Sequence, residues 1–214
     1  MQMQLVFLRH ATRSAYGLND SPLNETGLAQ AQELPNALMK LLKLESLEQI
    51  VQVISSPKLR ACQTVYPLSQ KLPRTFKIDP RLDERGEGES ATEFEARLRA
   101  VLKDLPGHLA GHLAGSLLTP PTIREAAASS AQTASAPSAP QGANVSSDSQ
   151  VILLCSHMDW LELAMLLAPS DLTPTQISWT WQPAEFRSFE LAPEPNSVWK
   201  FKKRGAVAPG GTNL

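Results

Sequence analysis

The chain has 214 residues, 42% of them hydrophobic and 19% charged, with a formal net charge of −1. That is the make-up of a globular domain with one good-sized core, and the near-neutral balance argues against bulk binding to nucleic acid or to an anionic membrane surface. No apolar run approaches the roughly 18–20 residues that span a bilayer, and the N-terminus shows neither a basic region nor a cleavage pattern. The expected compartment is therefore the cytoplasm, with Cys62 and Cys155 as reduced core thiols.

Gln4–Leu8 is an apolar run too short for a helix and reads as a buried parallel strand that stops at Arg9-His10. Residues 24–43 carry helical spacing in Leu28, Ala31, Leu34, Leu38 and Leu41, with Asn24 or Thr26 as cap and Pro35 expected to kink or split the helix. Ile50–Ile54 is a second strand, ending in Ser55-Ser56-Pro57. The helix after it has Pro57 in its first turn and Leu59, Cys62, Val65 and Leu68 on one face. Thr75–Ile78 is read as a short third strand, Arg81–Ser90 as a charged loop and 91–105 as an amphipathic helix.

Beyond that helix, His108 and His112 stand four apart, weak evidence for a metal pair and better explained as a frayed helix end. From about 119 to 149 the chain is rich in Ala, Ser, Pro, Gln and Thr, the composition of a disordered insertion. Val151–Cys155 is a strand ending in Ser156-His157, followed by a helix over 159–167. Residues 185–191 and 197–201 read as a hairpin, with a loose tail from about 203.

Strands alternating with helices imply an α/β sheet covered on both faces, in a single catalytic domain over 1–214. Ligands in such sheets bind beyond the carboxyl ends of the strands. Three strand ends bear functional groups: Arg9-His10, Ser55-Ser56 with Arg60 shortly after, and Ser156-His157. Phosphoryl transfer through histidine needs a neutral imidazole nucleophile, guanidinium forks for the phosphate oxygens and an acid for the leaving group. His10, the pair Arg9 and Arg60, and Glu84 answer those needs in turn. His157 adds a further hydrogen bond to phosphate.

Leu5-Val-Phe-Leu-Arg-His-Ala resembles the opening signature of the histidine phosphatase superfamily, whose fold is phosphoglycerate mutase-like. Four further stretches fit the same family in its order: Ser21–Ala31, Ser55–Thr64, Arg81–Gly88 and Val151–His157. The resemblance implies a three-layer α/β/α sandwich with a mostly parallel sheet and a phosphorylated His10. It also implies a phosphate pocket completed by Arg9, Arg60 and His157, Glu84 as proton donor, and neither metal nor cofactor. Ala11 departs from the family's usual Gly and Thr12 from its usual Glu or Gln. Arg13 resembles the acid-phosphatase branch, where a third Arg joins the pocket. His157-Met158 lacks that branch's His-Asp pair, which places the chain in the cytoplasmic branch with Arg13 as an additional phosphate-binding candidate.

The leading expectation is a phosphatase that hydrolyses small phosphomonoesters through a phosphohistidine on His10, with no nucleic-acid or membrane partner. A protein phosphohistidine phosphatase is the alternative, in which the substrate is a phosphoprotein. A mutase and a non-catalytic phospho-binding scaffold rank lower. The acid separates the first two: an alkoxide leaves poorly without a proton, whereas an imidazole leaves well. Asp83, Glu87 and Glu89 compete with Glu84 for that role.

Overall fold

The computed structural model describes residues 2–14, 20–113, 149–191 and 197–208, with the backbone alone for 106–113. Strands β1 (Gln2–Arg9), β2 (Ile50–Ser55), β3 (Lys77–Ile78), β4 (Ser149–Ser156), β5 (Glu185–Leu191) and β6 (Lys200–Ala206) form one sheet in the order β3-β2-β4-β1-β5-β6. β3, β2, β4 and β1 are parallel, while β5 runs antiparallel to β1 and β6 to β5.

The central strands are covered on both faces, which is why they read as continuous apolar runs. Their side chains still alternate. Leu5 and Phe7 enter one core cluster, and Val6 and Leu8 enter the other. α1 (Glu25–Leu42) and α2 (Leu59–Ser69) cover the Val6/Leu8 face; α3 (Ala91–Leu113) and α4 (Met158–Leu167) cover the Leu5/Phe7 face. The three-layer α/β/α arrangement follows. On the second face Phe7 meets Trp160 and Phe189 edge-on, at ring-centroid distances of 6.0 and 5.8 Å. Each such contact adds about 1 kcal/mol to the burial itself.

Asn24 caps α1, its side chain accepting from Gly27 N at 2.9 Å. Pro35 neither splits nor ends the helix, which runs unbroken to Leu42. Its fixed φ suits a helix, and its ring is buried beside Ala31, Leu34 and Leu38. That burial offsets the one lost backbone bond. α2 begins at Leu59 with Lys58 as its cap, so Pro57 lies ahead of the first turn rather than in it.

The second hairpin strand runs over 200–206, not 197–201, and Gly205 and Val207 are buried. Structure thus continues past 203, where a loose tail was expected. The unpaired edge of β5 captures this basic segment by backbone bonding, which its composition does not reveal. Exposed Lys200 and Lys202 on the outermost strand keep that edge from pairing with another chain. Most of the stretch read as an insertion lies outside the described residues, as do the side chains of His108 and His112; Ser149 already belongs to β4. Among the described residues no helix is long and apolar enough to cross a membrane.

Candidate active site

β1, β4 and β2 lie side by side and parallel, so their carboxyl ends arrive together. Arg9 pairs with Ser156 and Ser55 with Cys155. The next peptide groups extend the register: His10 N donates to Ser156 O at 3.0 Å and Ser56 N to Cys155 O at 2.9 Å. This brings His10, Ser56 and His157 to one edge, with α2 delivering Arg60 beside them.

His10 is buried. Its Nδ1 lies 2.8 Å from Ala11 O, and a carbonyl only accepts, so Nδ1 carries the proton and Nε2 keeps a free lone pair. Burial, helped by the charges of Arg60, Arg9 and Arg13, lowers its pKa to about 3, although the Ala11 bond works in the opposite direction. The imidazole is thus neutral and oriented, as a nucleophile must be. Ala11 is held by Thr64, whose Oγ1 accepts from Ala11 N at 2.9 Å and donates to Arg60 O at 2.7 Å. Among the described residues only Lys43 and Ala184 have a positive φ outside glycine, so the methyl of Ala11 meets no backbone strain.

The ring of His157 stands 5.2 Å from that of His10, centroid to centroid. Burial, with the charges around it, holds His157 well below the usual imidazole range. Its Nε2 is 2.8 Å from Ser56 Oγ, while Nδ1 is buried without a hydrogen-bond partner among the described residues. Arg60 is fully buried, and its Nη2 meets Glu84 Oε2 at 2.7 Å. The same Glu84 oxygen lies 3.8 Å from His157 Nδ1. Glu84 therefore faces the imidazoles and Arg60 rather than solvent alone.

Asp83 lies on the same side, 3.5 Å from His157 Nε2 and 3.7 Å from Lys58 Nζ. Glu89 is different: Arg97 holds it by a paired hydrogen bond, which keeps it well below the usual carboxylate range and away from the imidazoles. Glu87 is exposed.

Arg9 donates from Nη1 to Trp181 O. Arg187 stacks on the Trp181 ring at 3.9 Å and is paired to buried Glu185, so Arg9 is set against a rigid cluster. Arg13 makes an isolated bridge with Leu23, and its charge reaches both imidazoles. The structure thus gathers His10, Arg60, His157 and Glu84 at one edge, with Arg9 and Arg13 within electrostatic reach.

Sequence reasoning missed the supports. Gln30 is buried and binds Thr12 N and Thr12 Oγ1 through Oε1, at 3.0 and 2.9 Å, and Val207 O through Nε2 at 2.9 Å. It and Thr64 were signalled only as polar residues on the buried faces of amphipathic helices. Ser156 Oγ, donating to Leu82 O at 2.6 Å, ties the strand end to the loop bearing Glu84.

A sequence model of the histidine phosphatase superfamily (branch 1) matches residues 5–198. No match was found among curated proteins. Among solved structures, the fold is similar to that of the protein histidine phosphatase SixA complexed with tungstate, at 18% identity and a TM-score of 0.59 over 95% of this chain and 97% of that one. It is similar to a mycobacterial glucosyl-3-phosphoglycerate phosphatase, at 18% identity and a TM-score of 0.57 over 93% and 95%. It is also similar to phosphoglycerate mutase from Plasmodium falciparum, at 12% identity and a TM-score of 0.53 over 94% and 89%. At these identities the likeness concerns the fold.

Proposed function

The chain belongs to the histidine phosphatase superfamily, branch 1, and we propose that it hydrolyses small phosphomonoesters through a phosphohistidine on His10. In this reading the phosphate oxygens lie against Arg60, Arg9 and the Nδ1–H of His157, with Arg13 as a further contact. The His10 Nε2 lone pair attacks phosphorus, the bond to the leaving oxygen breaks and Glu84 gives that oxygen its proton. A water then attacks the phosphohistidine and surrenders a proton to the Glu84 carboxylate. The N–P bond breaks, and neutral His10 and inorganic phosphate are released.

The observation that carries the ester reading is the direction of Glu84, 2.7 Å from Arg60 and 3.8 Å from His157 Nδ1. A dedicated acid beside the phosphate pocket suits a poor leaving group. No step in this scheme uses a metal. The two free thiols, Cys62 and Cys155, fit the reducing cytoplasm as the place of action.

The test is hydrolysis of n-butyl phosphate and p-nitrophenyl phosphate, with EDTA present, by the wild type and by His10→Ala. Turnover of both should survive the chelator and vanish in the variant, and acid-labile phosphate should be found on His10 by mass spectrometry. A folded protein that ignores both esters but dephosphorylates a phosphohistidine protein would replace this reading with the phosphohistidine phosphatase one.

A further inference from the structure

Leu82 anchors the loop in the core, but from Asp83 to Gly88 no apolar side chain is buried. Asp83 and Glu84 are part-exposed and residues 85–88 are exposed. A proton donor must nonetheless be held to within a fraction of an ångström of its working position. The anchor comes from α3. Arg97 uses all five of its N–H donors on this one loop. Nε reaches Glu89 Oε1 at 2.8 Å, and Nη1 reaches Arg81 O at 2.8 Å and Asp83 O at 2.9 Å. Nη2 reaches Glu84 O at 3.2 Å and Glu89 Oε2 at 2.8 Å.

The guanidinium also lies over the Phe94 ring, 4.9 Å from its centroid. Gly88, at φ 84°, makes the left-handed turn that returns Glu89 to Arg97, and Glu89 Oε2 also accepts from Gly86 N at 3.1 Å. On the far side Asp159, in the first turn of α4, accepts from Arg85 N at 2.8 Å.

We propose that Arg97 is a positioning residue for Glu84: by binding the carbonyls of Arg81, Asp83 and Glu84 it fixes the backbone from which the acid reaches the leaving group. This rests on the reading of Glu84 as the proton donor. All five donors of Arg97 are committed to the loop, so none is left for substrate, and it acts on the reaction through the loop that bears Glu84. A lysine keeps the charge but lacks the planar fork, and cannot hold three carbonyls and a carboxylate at once.

The experiment compares kcat/KM, which reports formation of the phosphoenzyme, for n-butyl phosphate and p-nitrophenyl phosphate. The butoxide needs a proton to leave; the nitrophenolate does not. The proteins are wild type, Arg97→Lys, Glu84→Gln and the double variant, each with its melting temperature recorded. Arg97→Lys should lose roughly 10²-fold on the butyl ester and about tenfold less than that on the nitrophenyl ester. In the Glu84→Gln background the same change should add no more than about twofold on the butyl ester, because the two act as one unit.

Equal losses on both esters, or additive losses in the double variant, overturn the proposal and leave Arg97 a structural residue. If Glu84→Gln itself fails to discriminate the esters, the acid assignment falls, and the proposal with it. If Glu84→Gln discriminates and Arg97→Lys does not, the proposal falls alone. Should Arg97→Lys not fold, Glu89→Gln loosens the same clamp while leaving the three carbonyl bonds in place. It must then show the same preference for damaging the butyl ester, at smaller amplitude, or the proposal is lost.

Discussion

The two ring nitrogens of His157 meet different surroundings, and the difference decides what the residue can offer a phosphate. Nδ1 meets Glu84 Oε2 at 3.8 Å and, in the proposed reaction, the phosphate oxygens, whereas Nε2 has Ser56 Oγ, which can donate, at 2.8 Å, with Asp83 Oδ1 farther off at 3.5 Å. A lone pair on Nδ1 would be repelled by Glu84 and phosphate alike, so Nδ1 carries the proton. Nε2 must then accept, and Ser56 Oγ at 2.8 Å is the donor. Ser56 Oγ also receives Lys58 N at 3.3 Å, which leaves its own hydrogen free to point at the ring. Asp83 Oδ1 is the rival acceptor for that hydrogen but stands farther off, at 3.4 Å. Ser56→Ala removes the hydroxyl that holds this tautomer. We expect kcat/KM to fall about tenfold, the weight of one hydrogen bond of about 1–1.5 kcal/mol, with only a small change in melting temperature. The 15N shifts of His157 should show the Nε2–H form gaining population. An unchanged tautomer with reduced activity would show that Ser56 acts by some other route.

At the level of elements, helices hold the reactive ends of the strands in place, and α1 does so at very short range. A Cβ built on Gly27 would lie 1.9 Å from Thr12 O and 2.9 Å from Thr12 C, both backbone atoms that cannot swing aside. Thr12 is two residues from His10, and its N–H is held by Gln30 of the same helix. Gly27→Ala should therefore destabilise the protein by about 3 kcal/mol and lower kcat/KM on both esters alike, because it moves the nucleophile and not the acid. Urea unfolding and the two-ester assay check the two halves; a stable variant with normal kinetics would mean that the helix start can shift without cost.

This contact also shows what the amino-acid sequence discloses and what it hides. The runs ending in Arg9-His10, Ser55-Ser56 and Ser156-His157 are legible because burial on both faces makes a strand continuously apolar and its end abrupt. The α/β layering follows from the same runs. Pro35 does not split its helix, because the rule against proline weighs one backbone bond and not the burial of the ring. β6 hides in a basic, Gly-containing tail because edge pairing is backbone chemistry. Arg97 looks like any charged residue on an amphipathic helix, since the carbonyls it binds come close only through tertiary structure.

For the whole molecule, building a site from two buried imidazoles has a consequence for stability against pH. His10 falls from 6.5 to about 3 on folding, chiefly by burial, and His157 is also lowered. Between those values the unfolded chain binds more protons than the folded one, so stability rises with pH across the interval and is lost as pH falls below about 6.5. At pH 5 an imidazole that must stay neutral in the fold costs about 2 kcal/mol relative to pH 7, against a total of about 5–15 kcal/mol for a typical domain. The two rings sit 5.2 Å apart and interact, so their costs are not expected to add simply. His10→Gln removes one titrating group from the comparison. Urea unfolding at pH 7 and pH 5 should show the wild type losing about 2 kcal/mol more than the variant over that interval. Parallel losses would mean that folded His10 takes up a proton as readily as the unfolded chain does. The neutral nucleophile on which the phosphohistidine step depends would then be available only above the ordinary imidazole range, because bound phosphate favours the charged form.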